Sequence, residues 1–231
     1  LLVGSSVAVG ILSLILFVAI EKRVKDPLLP LAFFRARNFS ATLVTNAMTS
    51  SAYMGAFVIA PLYLQNLGYT ATLIAFMILM RTGALTLASP IGGRIGEIWG
   101  ERKASIFGCA IMTIGLAITV FAAANEYLAP FLLGLVLQGV GHGLSQPSIT
   151  AAIARSVDES DLGVAAASNR LMGQGGAAFG ITLLMLAYGG DKSPEAFALA
   201  FAVGTGLSVV SVGAAMFMGA PKVRLAMPTQ S

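Results

Sequence analysis

Apolar runs about as long as a membrane is thick, parted by short polar turns, repeat along this chain. An α-helix needs roughly 20 apolar residues to cross a bilayer. The stretches 1–20, 40–65, 71–95, 104–124, 128–153, 163–187 and 196–219 approximate that length and predict seven spanning helices. Their apolar residues are continuous rather than alternating, which excludes the strands of a membrane β-barrel. From Asn38 to Met80 no residue is charged, yet the segment is about twice one span. It divides at Gln65-Asn66-Leu67-Gly68-Tyr69-Thr70, where turn formers cluster and Thr70 is placed to cap the next helix. The densest polar turn runs from Gly92 to Lys103. Gly92, Gly96 and Gly100 recur at every fourth position, so one face of a helix end is bare and can pack closely on a neighbour. Arg94, Arg102 and Lys103 crowd around Glu97 and Glu101. Too polar for hydrocarbon and too short for a domain, this stretch reads as a tight basic connection between two spanning helices.

Composition agrees. Of 231 residues, 57% are hydrophobic and only 10% charged, with a mean hydropathy of +0.86. Soluble domains carry about 25% charged residues, so the chain is an integral membrane protein surrounded by membrane lipids. The 26 glycines fit close helix packing in lipid. The net charge of +4 does not indicate a nucleic-acid partner, because the basic residues sit mostly between spans. The single cysteine, Cys109, lies mid-span as ordinary packing and excludes an internal disulfide framework. Residues 1–20 are not preceded by a basic segment and do not read as a signal peptide. The expectation is of a piece cut from a longer chain.

Loop charge orients the spans. Residues 21–39 hold Lys22, Arg23, Lys25, Arg35 and Arg37, the central turn holds Arg94, Arg102 and Lys103, and the tail holds Lys222 and Arg224. On the other side, 65–70 and 125–127 have no basic residue and 188–195 has only Lys192. The positive-inside rule then puts 21–39, 96–103, 154–162 and the C-terminus in the cytoplasm of a multi-pass protein of the cell membrane, inner or plasma. The 154–162 loop is the weak vote, with one arginine against three acids. Tyr63, Tyr69, Tyr127 and Tyr188 fall near the opposite ends, as an aromatic belt would. The segment Asp26 to Arg37 mixes apolar and basic side chains and reads as an interfacial anchor, with lipid-headgroup recognition as the second reading.

Polar groups are costly in hydrocarbon, so their placement is informative. Asn, Gln, His and Arg enter only four spans: Asn46 in 40–65; Arg81 in 71–95; Gln138, His142 and Gln146 in 128–153; Asn169, Arg170 and Gln174 in 163–187. Spans 104–124 and 196–219 carry nothing more polar than Ser, Thr and Cys. Four helices are thus expected to face something wet and two to face lipid. Thr42, Asn46, Thr49 and Tyr53 share one helix face by spacing, as do Gln138, His142 and Ser145, and Arg170 and Gln174. Arg81 lies about eleven residues below the outer end of its span, roughly 16 Å at 1.5 Å per residue, near the midplane. With no acid in any span, it must meet a water-filled cavity, backbone carbonyls or a partner from elsewhere. His142, the only histidine, is expected as a hydrogen-bonded cavity residue, with proton relay the sharper alternative. Gly139/Gly143 and Gly176/Gly180 are small-xxx-small pairs, read as helix contacts. One His and one Cys make no metal site, every acid lies in a loop, and the Gly-rich stretches lie inside spans. Neither a cofactor nor a metal nor an enzyme activity is expected.

The central turn, Gly93-Arg94-Ile95-Gly96-Glu97-Ile98-Trp99-Gly100-Glu101-Arg102-Lys103, resembles the loop motif Gly-x-Leu-x-Asp-Arg-x-Gly-Arg-Arg of the major facilitator superfamily. Glu97 takes the acidic position and Gly100 the second glycine, whereas Ile98 and Glu101 stand where basic residues are usual. Gln138-Gly139-Val140-Gly141 is similar to that family's Arg-x-x-Gln-Gly-x-Gly, with Leu135 in place of its arginine, so the proton-related role of that motif does not carry over. Asn169 to Gly180 looks like the Gly-rich stretch of the next helix. Asp26 to Phe39 looks like a linker that, after an extra span, points to the fourteen-helix drug:proton antiporters of the EmrB/QacA type.

The resemblance implies that 1–20 is an inserted linker helix, 21–39 a cytoplasmic or interfacial linker, 40–219 the C-terminal six-helix bundle, and 220–231 a cytoplasmic tail. In that bundle, two inverted three-helix repeats, the first, second, fourth and fifth helices line a cavity and the third and sixth face lipid. The implied function is proton-coupled efflux of amphipathic drugs or lipophilic metabolites by alternating access. Partners are protons, the small-molecule substrate and an N-terminal six-helix bundle holding the coupling carboxylates. Asn46, Tyr53, Arg81, Gln138, His142 and Asn169 are the candidate substrate-binding residues. Arg94, Glu97 and Arg102 are the candidate cytoplasmic gate. The alternatives are a non-transporting structural half and a lipid flippase.

Overall fold

In a computed structural model of the chain, residues 37–219 are described. The short connections there force consecutive helices to run antiparallel. The helices are α1 (Arg37–Asn66), α2 (Ala71–Trp99), α3 (Glu101–Ala124), α4 (Leu128–Ala154), α5 (Leu162–Tyr188) and α6 (Pro194–Met216), with a 3₁₀ turn, Glu159–Asp161, leading into α5. Among the described residues there is no strand, and all six helices are long and apolar enough to cross a membrane. The span expected at 1–20, the linker as far as residue 36 and the tail from 220 lie outside the described residues.

The polar turn expected at 96–103 is tighter than its composition suggests. Helix α2 continues to Trp99, α3 restarts at Glu101, and the reversal is made by Gly100 alone, at φ 84° and ψ 150°. That backbone conformation is open to glycine and strained for other residues. Arg94 and Glu97 therefore stand on the last turns of α2, and Arg102 on the first turn of α3.

Packing repeats across the two halves of the bundle. Helix α1 lies against α5 and α6, α4 lies against α2 and α3, and α3 meets α6 between them. Exchanging α1–α3 with α4–α6 maps this pattern onto itself, as an inverted repeat requires. Small residues make the contacts close. A side chain on Gly176 or Gly180 of α5 would collide with the α1 backbone at Ala47 and Ser51. Gly139 and Gly143 of α4 face the carbonyls of Arg81 and Leu85, while Gly92 and Gly96 of α2 face Leu144 and Ser148. The glycine pairs expected to be helix contacts are helix contacts.

At the end away from Gly100, Tyr63, Phe131, Phe197, Phe201 and Tyr188 form an aromatic core, with Tyr63–Phe131 centroids at 4.5 Å and Tyr188–Phe197 at 4.7 Å. Tyr63 and Tyr188 thus belong to the interior rather than to a surface belt; Tyr127 is exposed, as a belt residue would be. The Tyr63 hydroxyl donates to the carbonyl of Ala122 at 3.3 Å, so its polar tip is satisfied inside the bundle. Loops close both ends: Asn66 donates to the carbonyl of Lys192 at 3.0 Å, and at the other end Asn38 donates to Ser156 at 3.0 Å while accepting from the Gly219 amide at 2.7 Å.

Because Gly180 admits no side chain, Gly180→Ala is expected to destabilise the bundle by about 1–3 kcal/mol. Gly175→Ala, where the new methyl meets open space, should be neutral or stabilising by up to about 1 kcal/mol. Thermal unfolding of the two variants in the same detergent checks this.

Candidate functional site

A cleft of about 550 Å³ opens among α1, α2, α4 and α5. Asn46, Ser50 and Met54 face it from α1, Leu85 and Ser89 from α2, His142, Gln146 and Thr150 from α4, and Asn169, Arg170 and Gln174 from α5. Helices α3 and α6 contribute nothing to it, matching the division drawn from polar residues in the sequence. The cleft runs from Met54 and His142 to Ile153 and Leu162, so it extends to the end that carries the Gly100 turn.

Asn46 is the hub of the polar wall. Its Nδ2 donates to both the carbonyl and the Oδ1 of Asn169, at 2.9 and 2.6 Å, and its Oδ1 accepts from Gln146 Nε2 at 3.2 Å. Three helices are joined by this one nearly buried amide. Gly173 makes room for it, since a side chain there would press on Asn46 Nδ2. Among the described residues the lining contains no carboxylate, and Arg170 is its one charged side chain.

Behind the inner end of the cleft stands a stacked column. The His142 ring lies on the Tyr53 ring, with centroids 4.0 Å apart and planes within 8°. The Arg81 guanidinium lies over the Tyr53 ring at 3.8 Å, which at such short distances requires the opposite face. Arg81 Nη2 donates to the carbonyl of Tyr53 at 2.6 Å, and Arg81 is fully buried. A desolvated cation–π contact is worth about 2 kcal/mol. Of the environments open to Arg81, the structure supplies a backbone carbonyl and an aromatic face, outside the cleft lining. Its Nε and Nη1, and Nδ1 of His142, are buried without a hydrogen-bond partner.

The sequence-derived candidates therefore separate. Asn46, His142 and Asn169 line the cleft, and Tyr53 and Arg81 support His142 from behind. Gln138 is elsewhere: fully buried, it donates to Thr119 of α3 at 3.4 Å within the α3–α4 contact. Thr49 likewise turns to α3, with its hydroxyl 3.5 Å from Cys109 Sγ. Gln146, Ser50, Arg170 and Gln174 line the cleft without having been chosen as site residues. Gln146 is one helical turn from His142 and Ser50 one turn from Asn46, spacings that identify both.

At the basic end, Arg94, Glu97 and Arg102 are exposed, and among the described residues no ion pair links them. The charge pair there is Glu101–Arg155, at 2.6 Å. It joins the first turn of α3 to the C-cap of α4, so each charge also meets the helix-end dipole of favourable sign. Among the described residues no group of His, Cys, Asp and Glu is placed to hold a metal ion.

The family model described as Major Facilitator Superfamily matches residues 39–229. The multidrug transporter protein MdtP of Bacillus subtilis is 26% identical over 180 residues, covering 77% of this chain and 33% of MdtP. The quinolone resistance protein NorB of Staphylococcus aureus is 26% identical over 180 residues, covering 76% of this chain and 38% of NorB. A tetracycline resistance determinant of Streptomyces rimosus is 28% identical over 180 residues, covering 77% and 52% respectively. The chain spans between about a third and a half of these relatives. By name they are transporters and resistance proteins rather than enzymes.

Glu101 is 6% exposed and Arg155 57%. Arg155→Ala should therefore lower stability by about 1–2 kcal/mol, less than for a fully buried pair because water screens the arginine side. A double-mutant cycle with Glu101→Gln, followed by thermal unfolding, should show the losses to be less than additive.

Proposed function

This chain belongs to the Major Facilitator Superfamily, and from that premise we propose that it is the C-terminal half of a proton-coupled efflux transporter exporting amphipathic drugs or lipophilic metabolites by alternating access. The observation that carries the proposal is the cleft: a polar, hydrogen-bonded wall inside a bundle built entirely of membrane-spanning helices, lined by four of them and open along one side. Such a groove encloses a solute only when a second bundle covers it. Exposed apolar residues flank it, including Leu73, Phe76 and Leu87 on α2 and Leu171, Phe179 and Leu186 on α5, and we assign these faces to the N-terminal six-helix bundle. The relatives, a multidrug transporter and proteins of quinolone and tetracycline resistance among them, support drug-like substrates.

The remaining parts of the proposal follow the same logic. Amide and hydroxyl groups in an otherwise apolar cleft suit amphipathic molecules that keep a few hydrogen bonds. With no carboxylate in the lining, proton coupling is assigned to acids of the other half, and a cationic substrate must find its counter-charge there. The basic end, with the C-terminus, is assigned to the cytoplasm by the positive-inside rule, so the cleft extends toward the cytoplasmic side. The fourteen-helix arrangement rests on the apolar run 1–20 and the linker that follows it. Exposed Arg94, Glu97 and Arg102 suit a gate that latches onto the opposing half in one state and releases in the other.

In cells producing the full-length transporter, Asn46→Ala is expected to reduce efflux of a fluorescent amphipathic drug about tenfold or more, equivalent to at least about 1.4 kcal/mol, at unchanged membrane abundance. Gln138→Leu, confined to the α3–α4 contact, should leave efflux within about twofold, since its Oε1 has no partner to lose. A protonophore should stop transport by the native protein. Near-normal efflux by Asn46→Ala would remove the polar wall from the mechanism.

A further inference from the structure

A second pocket, of about 320 Å³, lies where α1 and α3 begin and α6 ends, lined by Arg37, Asn38, Arg102, Met216, Phe217 and Gly219 among others. We infer that this corner binds the phosphate headgroup of an anionic phospholipid. Two guanidinium groups from different helices converge on it, and among the described residues neither forms an ion pair. The Arg37 guanidinium is held over the Phe217 ring, with its Cζ 5.3 Å from the centroid. Asn38 ties the walls together, donating to Ser156 and accepting from Gly219. The neighbouring acid Glu101 is buried against Arg155 and does not neutralise the pocket. No acidic residue occurs from Pro27 to Gly96 or from Ala196 to Ser231. Among the described residues the pocket lining holds two guanidinium groups and no carboxylate, while Asp158, Glu159 and Asp161 follow Ser156 in the adjoining loop.

The surroundings select a lipid over a free phosphate. Met216 and Phe217 are 50% and 57% exposed at the pocket rim. The outward faces of α3 and α6 continue it with exposed Phe107, Ile114, Val209 and Val210. Neither helix touches the transport cleft, so this corner faces the membrane and not the solute path. A headgroup on the two arginines would leave its acyl chains along that apolar surface. Basic pockets between spanning helices hold anionic headgroups in this way, each arginine adding a fewfold in affinity.

The test is native mass spectrometry of the purified full-length protein, titrated with phosphatidylglycerol or phosphatidylcholine in a neutral detergent. The native chain should retain phosphatidylglycerol about tenfold more tightly, and Arg37→Gln with Arg102→Gln should abolish most of that preference. Lys192→Gln, at the opposite end of the bundle, should leave it intact. Equal binding of the two lipids by the native chain overturns the assignment, whether or not the double variant folds. So does a preference that survives in a folded double variant. Displacement of phosphatidylglycerol by glycerol phosphate at comparable concentration would show a free-phosphate site instead, and would also overturn it.

Discussion

Backbone-to-backbone approach between helices is the constraint on which the rest of this bundle depends. In lipid, helices gain little from burying apolar surface against one another, so contact must come from close packing and hydrogen bonds. Gly176 and Gly180 let α5 settle directly on the α1 backbone, and Gly139 and Gly143 do the same for α4 on α2. At that separation Asn46 reaches Asn169, and Ser51 reaches the Gly176 carbonyl at 2.6 Å. The α1–α5 part of the polar wall thus depends on the glycine contacts between those two helices.

The Arg81–Tyr53–His142 column shows how the bundle tolerates a buried cation without a counter-ion. An isolated guanidinium in hydrocarbon is costly, and here part of that cost is offset by a carbonyl, the face of Tyr53 and the more distant ring of Phe57 at 5.4 Å. Arg81 comes from α2, Tyr53 from α1 and His142 from α4, so the column links three cleft helices. Two guanidinium nitrogens and one imidazole nitrogen retain unspent donor or acceptor capacity. The polar groups directly behind the cleft are therefore less fully committed than those of the wall itself.

Much of the architecture was legible in the sequence because membrane helices leave strong signals: run length, loop charge, and the costliness of Asn, Gln, His and Arg inside spans. That last signal separated the cleft helices from α3 and α6. Finer placement failed where one helix has several neighbours. Helix α4 packs on both α2 and α3, so Gln138 and Gln146, alike in composition and two turns apart, serve different surfaces. Periodicity assigns a face to a residue but not a neighbour to that face. Tyr63 and Tyr188 were hidden for a related reason, since a tyrosine near a helix end looks the same whether it meets headgroups or an aromatic core. The pairing of Glu101 with Arg155, rather than of Glu97 with Arg94 or Arg102, depended on the turn shrinking to a single glycine.

That single glycine has a mechanical consequence. Consecutive Cα atoms are held about 3.8 Å apart, so the ends of α2 and α3 have no slack between them, and α3 is in turn clamped to α4 through Glu101 and Arg155. At this end α2, α3 and α4 form a three-bar linkage with its joints closed. The seven residues from Arg155 to Asp161 that separate α4 from α5 are the longest connection among the described helices. The longest connection therefore falls between the α2–α3–α4 block and α5, whose first residue, Leu162, lines the cleft.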